Sequence, residues 1–366
     1  MTSYPAEAIE ALYSVDEARD LLDSNITSSI TLGEHVTSSF HAPDEWSVAD
    51  FAMFDDEEVT EAALTVGGHD YEFTKKALLD FTSKFHLSKK YVGLLPPSLL
   101  NPQMGHWLSH NSTDIRLLVD GDRIIGVSKS PSAPLFSAEA VFDYSVGALH
   151  DATGVAPSEM YVDYKLTNTL DETAFRLIVP GLSTYQIAAQ RDGETKADLW
   201  NYGISVRHSQ SALFPTSVEG YLFAWWCTNG QIATHAASGK FDRRSHEADL
   251  SVLGEWLTEK VEDISMDMPL QFADLAKMPG ISLKGEMTEA ADSVFKRYRV
   301  PTEAREAVLS NLVESDDWSA YGLMNAVTQA ANPSDTDEKL RGLLFRAGGD
   351  MAAAFSNRCD TCHRID

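Results

Sequence analysis

Apolar residues in the first 245 positions fall mostly into short alternating runs, whereas beyond Ser245 they recur every three to four residues. Ala63 to Val66 and Tyr71 to Phe73 flank Gly67 and Gly68, and a glycine pair predicts a tight hairpin because both central turn positions favour positive φ. Thr74 then caps a helix that ends near His86. Leu117 to Val119 and Ile124 to Val127 predict a second hairpin around Asp120 and Gly121. A helix from Ser137 to about Ala152 follows, with Ala140, Val141, Tyr144 and Ala148 at helical spacing. Met160 to Leu166 and Ala174 to Val179 read as another hairpin, and Gly203 to Arg207 and Val218 to Cys227 as further strands. At the start of the chain an amphipathic helix is predicted over about Pro5 to Leu22. A Ser- and Thr-rich stretch up to His41 and an acidic loop at Asp55 to Glu58 come next.

In the last third, Leu250, Leu253, Leu257, Val261 and Ile264 share one face of a capped helix, and four shorter helical patterns extend to Phe355. Strands followed by helices predict an α+β fold: a central, mostly antiparallel sheet built from hairpins, with a helical C-terminal part packed on it. The organisation is an N-terminal helix and acidic extension over 1–60, a mixed α+β core over 61–245 and a helical part over 246–366 that packs on the core as one unit. No fixed-period repeat is present.

Charge changes this picture more than composition does. Across 366 residues, 29 basic side chains face 55 acidic ones, a net charge of −26. The excess is uneven: −12 over residues 1–100, −4 over 101–245 and −10 over the remainder. The centre is therefore the least anionic third, and the net charge opposes any binding mode that rests on a broad basic face. A high-salt cytoplasm would also favour such a surface. No apolar run reaches the roughly 18 residues that span a bilayer, and the acidic start MTSYPAEAIEALYSVDEARD is unlike a signal peptide, so the expected location is the cytoplasm.

Candidate chemistry is sparse. Neither GxxxxGK[ST] nor GxGxxG occurs, which excludes the common phosphate loops. HExxH and HxH are absent, and His106 with His110 is assigned to a loop because of Pro102 and the following Asn111 and Ser112. His246 with Asp249 has metal-pair spacing, but a capped surface helix accounts for both. The three cysteines, Cys227, Cys359 and Cys362, are too few for a disulfide scaffold and suit a reducing compartment. CDTCH near the C-terminus has the form of a haem attachment site without the export that such attachment requires. As half of a zinc site, Cys359, Cys362 and His363 would need ligands from elsewhere, and no cofactor is expected.

Two constellations remain in the centre. Cys227, His235 and Asn229 have the residue types of a thiol nucleophile, its base and an orienting amide. The stronger reading has Asn229 and Gly230 as a common turn pair, with Cys227 as a small hydrophobe and His235 on the return strand. Arg207, His208, Tyr221, Trp225, Lys240, Arg243 and Arg244 fall on or just after strands. A sheet face with open rings and cations is what single-stranded nucleic acid uses for stacking and phosphate contacts. The competing arrangement turns the same aromatics inward, beneath the C-terminal helices.

Several segments carry a resemblance. GGHDYEFTKKALLDFTSKFHLSKKYVGLLPP from Gly67, GISVRHS, WWCTNGQIATH and the late WSAYGLMNAVTQAAN resemble the landmarks of a phage and plasmid family filed as domain of unknown function 932, over roughly residues 63–332. CTNG followed by a nearby His is the most specific of them. His208 departs from the pattern, which has an Asn before the Ser. The resemblance implies a mobile-element protein at work in a host cytoplasm. With the central residues, it leads to the expectation of a non-enzymatic protein that handles single-stranded nucleic acid in recombination or replication. The alternatives are an enzyme centred on Cys227 and His235, and an acidic protein-binding module or DNA mimic that engages a host protein. Oligomerisation stays open.

Overall fold

A computed structural model describes residues 9, 12–22, 26, 28–33, 36–43, 56–92, 94–111, 113–163, 165–180, 185–191, 194–225, 229–234, 236–243, 248–283, 287–333 and 336–357. Its architecture is α+β, with antiparallel sheets and a helical C-terminal region. Two sheets are present where the sequence predicts one.

The smaller, six-stranded sheet takes its strands from the first 127 residues in the spatial order β2-β6-β7-β5-β4-β3. These are β2 (Ser28–Leu32), β3 (Ser38–His41), β4 (Val59–Val66), β5 (His69–Thr74), β6 (Ile115–Asp120) and β7 (Arg123–Val127). Gly67 and Gly68 close the β4–β5 hairpin at φ 60° and 88°, a conformation that side chains disfavour. Most pairings are antiparallel, but β5 runs parallel to β7, because a helical crossover leads from β5 to β6, which turns back into β7. That crossover holds α2 (Lys75–Ser83), α3 (Lys89–Val92) and α4 (Pro97–Ser109). Thr74 caps α2 as expected, accepting from the Ala77 amide at 3.3 Å. Phe73, Phe81, Leu100 and Met104 lie in the sheet's own apolar core.

The expected loop around His106 is instead the last part of α4, with Pro102 inside the helix. Pro97 at the first helical turn is a favourable start, and tertiary packing of Leu100 and Met104 holds the helix despite the amide that Pro102 lacks. Within the stretch predicted as the N-terminal helix, Ile9 is helical, Leu12–Ser14 forms strand β1, paired with a strand of the second sheet, and Val15–Leu21 is helix α1; residues 5–8, 10 and 11 lie outside the described residues. A reciprocal Ser14–Glu17 capping box fixes that boundary.

The nine-stranded sheet holds β1 with β8 (Tyr161–Asp163), β9 (Thr167–Asn168), β10 (Thr173–Val179), β11 (Tyr185–Arg191), β12 (Glu194–His208), β13 (Thr216–Ala224), β14 (Asn229–Ile232) and β15 (Ser238–Phe241). β12 is 15 residues long: its first half pairs with β11 and its second half with β10. Helices cover both faces. On one side lie α5 (Ala138–Thr153), capped by Ser137, and α6 (Leu250–Leu275), capped by Asp249. Phe142 meets Phe175 there, and Trp256 meets Phe241. After α7 (Met287–Arg297) and α8 (Arg305–Ser315), α9 (Ala320–Gln329) packs along α10 (Glu338–Asn357), and α10 meets the opposite face, where Phe345 reaches Tyr221. No helix among the described residues is long and apolar enough to cross a membrane.

Candidate basic crevice at the junction of the sheets

The ring-lined strand face expected from the sequence is not at the surface. Tyr221 and Trp225 are fully buried, and His208 and Arg243 nearly or wholly so. Leu222, Phe223, Ala224 and Trp225 are all buried, so both faces of the strand's second half are core. The polar ends of these rings find internal partners. Trp225 Nε1 donates to Asn201 Oδ1 at 2.5 Å, and Tyr221 donates its phenolic proton to Asp163 Oδ2 at 2.7 Å.

Tyr221 belongs to a charged network between sheet and helices. Arg176 pairs with Glu338 and donates to the Lys165 carbonyl, while Arg341 holds the other oxygen of Glu338 at 3.0 Å. Burial pushes the Tyr221 phenol well up, and the neighbouring Asp163 charge pushes it further. Asp163 titrates below the usual carboxylate range: burial opposes this, but the Lys165 and Arg176 charges prevail. These groups are enclosed, so the network joins elements and offers no access to a substrate.

His208 donates from Nε2 to the Phe136 carbonyl at 2.8 Å, which leaves Nδ1 to accept from the Thr216 hydroxyl at 2.9 Å. Burial, reinforced by the Arg243 charge, lowers its pKa to about 3, so the ring is neutral in cells. Arg207 and Lys240 stay in contact with solvent. The register places them in one row across β12, β13 and β15, with Ser217 between them.

The proposed Cys227 and His235 site, Arg244 and the C-terminal Cys359, Cys362 and His363 lie outside the described residues. Asn229 is not in a turn as expected: it opens β14 opposite Ala224. Gly230 is required where it stands, since a Cβ there would lie 1.8 Å from the Tyr221 oxygen. His106 and His110 bring their rings to 4.4 Å on α4, but no group of three or more His, Cys, Asp or Glu able to hold a metal occurs among the described residues.

What the sequence reading missed is a gathering of lysines. α2 and the exit of β7 meet the β12–β13 loop of the larger sheet, where the Lys129 amide donates to the Ser211 carbonyl at 2.9 Å. Around the nearly buried Asp80 carboxylate stand Lys89 at 2.7 Å, Lys129 at 3.0 Å and Lys76 at 3.6 Å. Lys76 crosses to Asp171 of the larger sheet's unit at 2.7 Å. Lys84 donates to the Ser128 carbonyl at 3.3 Å, and its ammonium titrates below the usual lysine range because of burial and repulsion from Lys129. Beyond Lys129, Phe214 carries the Arg207 guanidinium over its ring at 5.3 Å, and Arg243 closes the row. Lys76, Lys84 and Lys89 lie within one short stretch on and just after α2, and the fold brings Lys129 to them from the exit of β7.

A second concavity runs between α5 and α6, floored by Gly147, Ala148 and Gly254 and rimmed by Asp143, Asp151, Glu255, Glu259 and Glu262. In a chain of net charge −26 an acidic groove is the background, and a local excess of cations is the deviation. No family model, curated protein or solved structure matches this chain.

Proposed function

We propose that the protein is a non-enzymatic phage or plasmid component that holds single-stranded nucleic acid along the basic crevice, in recombination or replication. The observation that carries this reading is local charge. Lys76, Lys84, Lys89, Lys129, Arg207 and Arg243 gather against Asp80, Asp171, Glu172 and Asp242, a net positive strip on a strongly anionic molecule. Lys84 and Lys129 face each other, and a phosphate chain would relieve their repulsion. The strip is narrow, and the acidic surface around it disfavours a duplex with its doubled charge. Phe214, half-buried at its centre, supplies one ring for a base. The mobile-element assignment rests on the resemblance in the sequence.

Fluorescence anisotropy with a labelled single strand, repeated across a salt series, tests the reading. Replacing Lys84, Lys89 and Arg207 together by Ala removes up to three phosphate contacts, which lowers the slope of log affinity against log salt by about 2 at roughly 0.7 per contact. Wild-type slope and affinity in that variant would rule out the crevice as the strand's path.

A further inference from the structure

At the end of the basic strip lies a cavity of about 290 Å3, lined by Lys129, Ala133, Leu213, Phe214, Pro215 and Arg243 among others. The Arg243 side chain is nearly inaccessible, and its two terminal nitrogens differ. Nη2 donates to the Ser209 carbonyl at 2.6 Å and the Phe214 carbonyl at 2.9 Å. Nη1 is buried with no hydrogen-bond partner among the described residues. Burial lowers the pKa of Arg243 to about 10, still fully protonated near neutrality. A desolvated cation with a vacant donor costs free energy that an oxyanion beside it offsets. The same concavity also reaches the exposed Asp242.

Backbone strain sits at this place. Ala212, in the cavity wall, has φ 59°, the left-handed region that alanine disfavours. The loop is held there by the Leu213 amide donating to Ser209 Oγ at 2.9 Å and by the Arg243 clamp. Apart from its cations the wall is largely apolar, from Ala133, Leu213, Phe214 and Pro215. The volume exceeds what a bare oxyanion fills and lies near the lower bound of about 300 Å3 for small-molecule sites. Beside an oxyanion there is therefore room for an apolar or planar body.

We infer that this cavity takes one phosphorylated nucleotide unit, with the phosphate on Arg243 Nη1 and Lys129 and the base against Phe214, Leu213 and Pro215. The inference rests on the strand-binding reading only for the source of that unit. A terminal nucleotide of a bound strand and a free nucleoside monophosphate present the same chemistry.

Calorimetric titration of the full chain with deoxyadenosine 5′-monophosphate, with deoxyadenosine as the uncharged control, tests it. The nucleotide binds wild type at about 0.1 mM or tighter, and the nucleoside at least about tenfold more weakly. Arg243→Gln weakens the nucleotide by about tenfold or more, a loss in line with a charge-assisted hydrogen bond. Because that change also disturbs the loop clamp, Leu213→Trp serves as a second variant: it starts from an exposed position, obstructs the cavity and leaves Arg243 in place. It loses nucleotide binding with an unchanged melting temperature. Absence of binding to wild type, equal affinity for the nucleoside, or full affinity in both variants overturns the inference. A preference for 5′-phosphorylated over 5′-hydroxyl oligonucleotide assigns the cavity to a strand end; equal oligonucleotide affinities with nucleotide binding intact assign it to the free nucleotide. Nucleotide binding that persists when the Lys84, Lys89 and Arg207 variant fails to alter strand binding separates this site from the strand reading.

Discussion

At the scale of single residues, His208 shows how position overrides chemical identity. An imidazole with ordinary pKa near 6.5 is enclosed between Thr216 and Phe136 beside the Arg243 cation, and its folded pKa falls to about 3. Above pH 6.5 both folded and unfolded chains hold it neutral. Below that value the unfolded chain binds a proton that the native state refuses, so stability declines as pH falls toward 3, by on the order of 1 kcal/mol per pH unit from this group. Urea unfolding of wild type between pH 7 and 5 should show this decline, and His208→Asn should flatten it; an unchanged slope would mean that another group controls acid sensitivity. Ala212 allows a second measurement. Its left-handed backbone costs about 1 kcal/mol that glycine does not incur, so Ala212→Gly should raise unfolding stability by about that amount. Arg243 was visible in the sequence as part of a basic group, but its burial was not, because no local pattern marks which charge a distant loop will cover.

At the scale of elements, the legible features were those whose cause is local. The Gly67–Gly68 turn, the Thr74 cap, the helix from Ser137 and the apolar face of α6 each depend on a few neighbouring residues, and each occurs near its predicted place. The β11–β12 hairpin was missed because IAAQ and ETKAD alternate too weakly to announce strands. Strand β13 was misread more instructively. Its first half alternates buried and half-buried residues, and from Gly220 onward every residue is buried. A continuous apolar run signals a strand covered on both sides, and YLFAWW carries that signal, so the inward aromatics were in principle readable. Packing between α5 and α6 permits a direct test. A Cβ on Gly254 would lie 2.6 Å from the Tyr144 ring, and Gly254→Val should force the helices apart at a cost of about 1–3 kcal/mol, seen as a lower unfolding midpoint. Valine tolerated without loss would show that Tyr144 moves freely aside.

At the scale of the whole molecule, two apolar cores, one per sheet, replace the single core that the hydrophobic pattern suggested. Period-two alternation identifies strands but carries no information on which strands share a sheet, and so the junction lay beyond sequence reasoning, although the lysines of residues 75–90 stand together in the chain. The net charge of −26 has opposite consequences for stability and for binding. Raising sodium chloride from about 0.05 M to 1 M shortens the screening length from about 14 Å to about 3 Å, which relieves self-repulsion and should raise the melting temperature. The same change should weaken strand affinity. A melting temperature that falls with salt would show that ion pairs such as Lys76–Asp171 outweigh the general repulsion.

The Arg176–Glu338 pair, within the larger core, links positions 162 apart in the chain. During synthesis the guanidinium and the strands around it leave the ribosome well before the carboxylate that neutralises them. Until then the face that α10 later covers is water-exposed and charged, and premature closure over it is disfavoured. The larger sheet thus completes its interior late in translation, with the arrival of the final long helix.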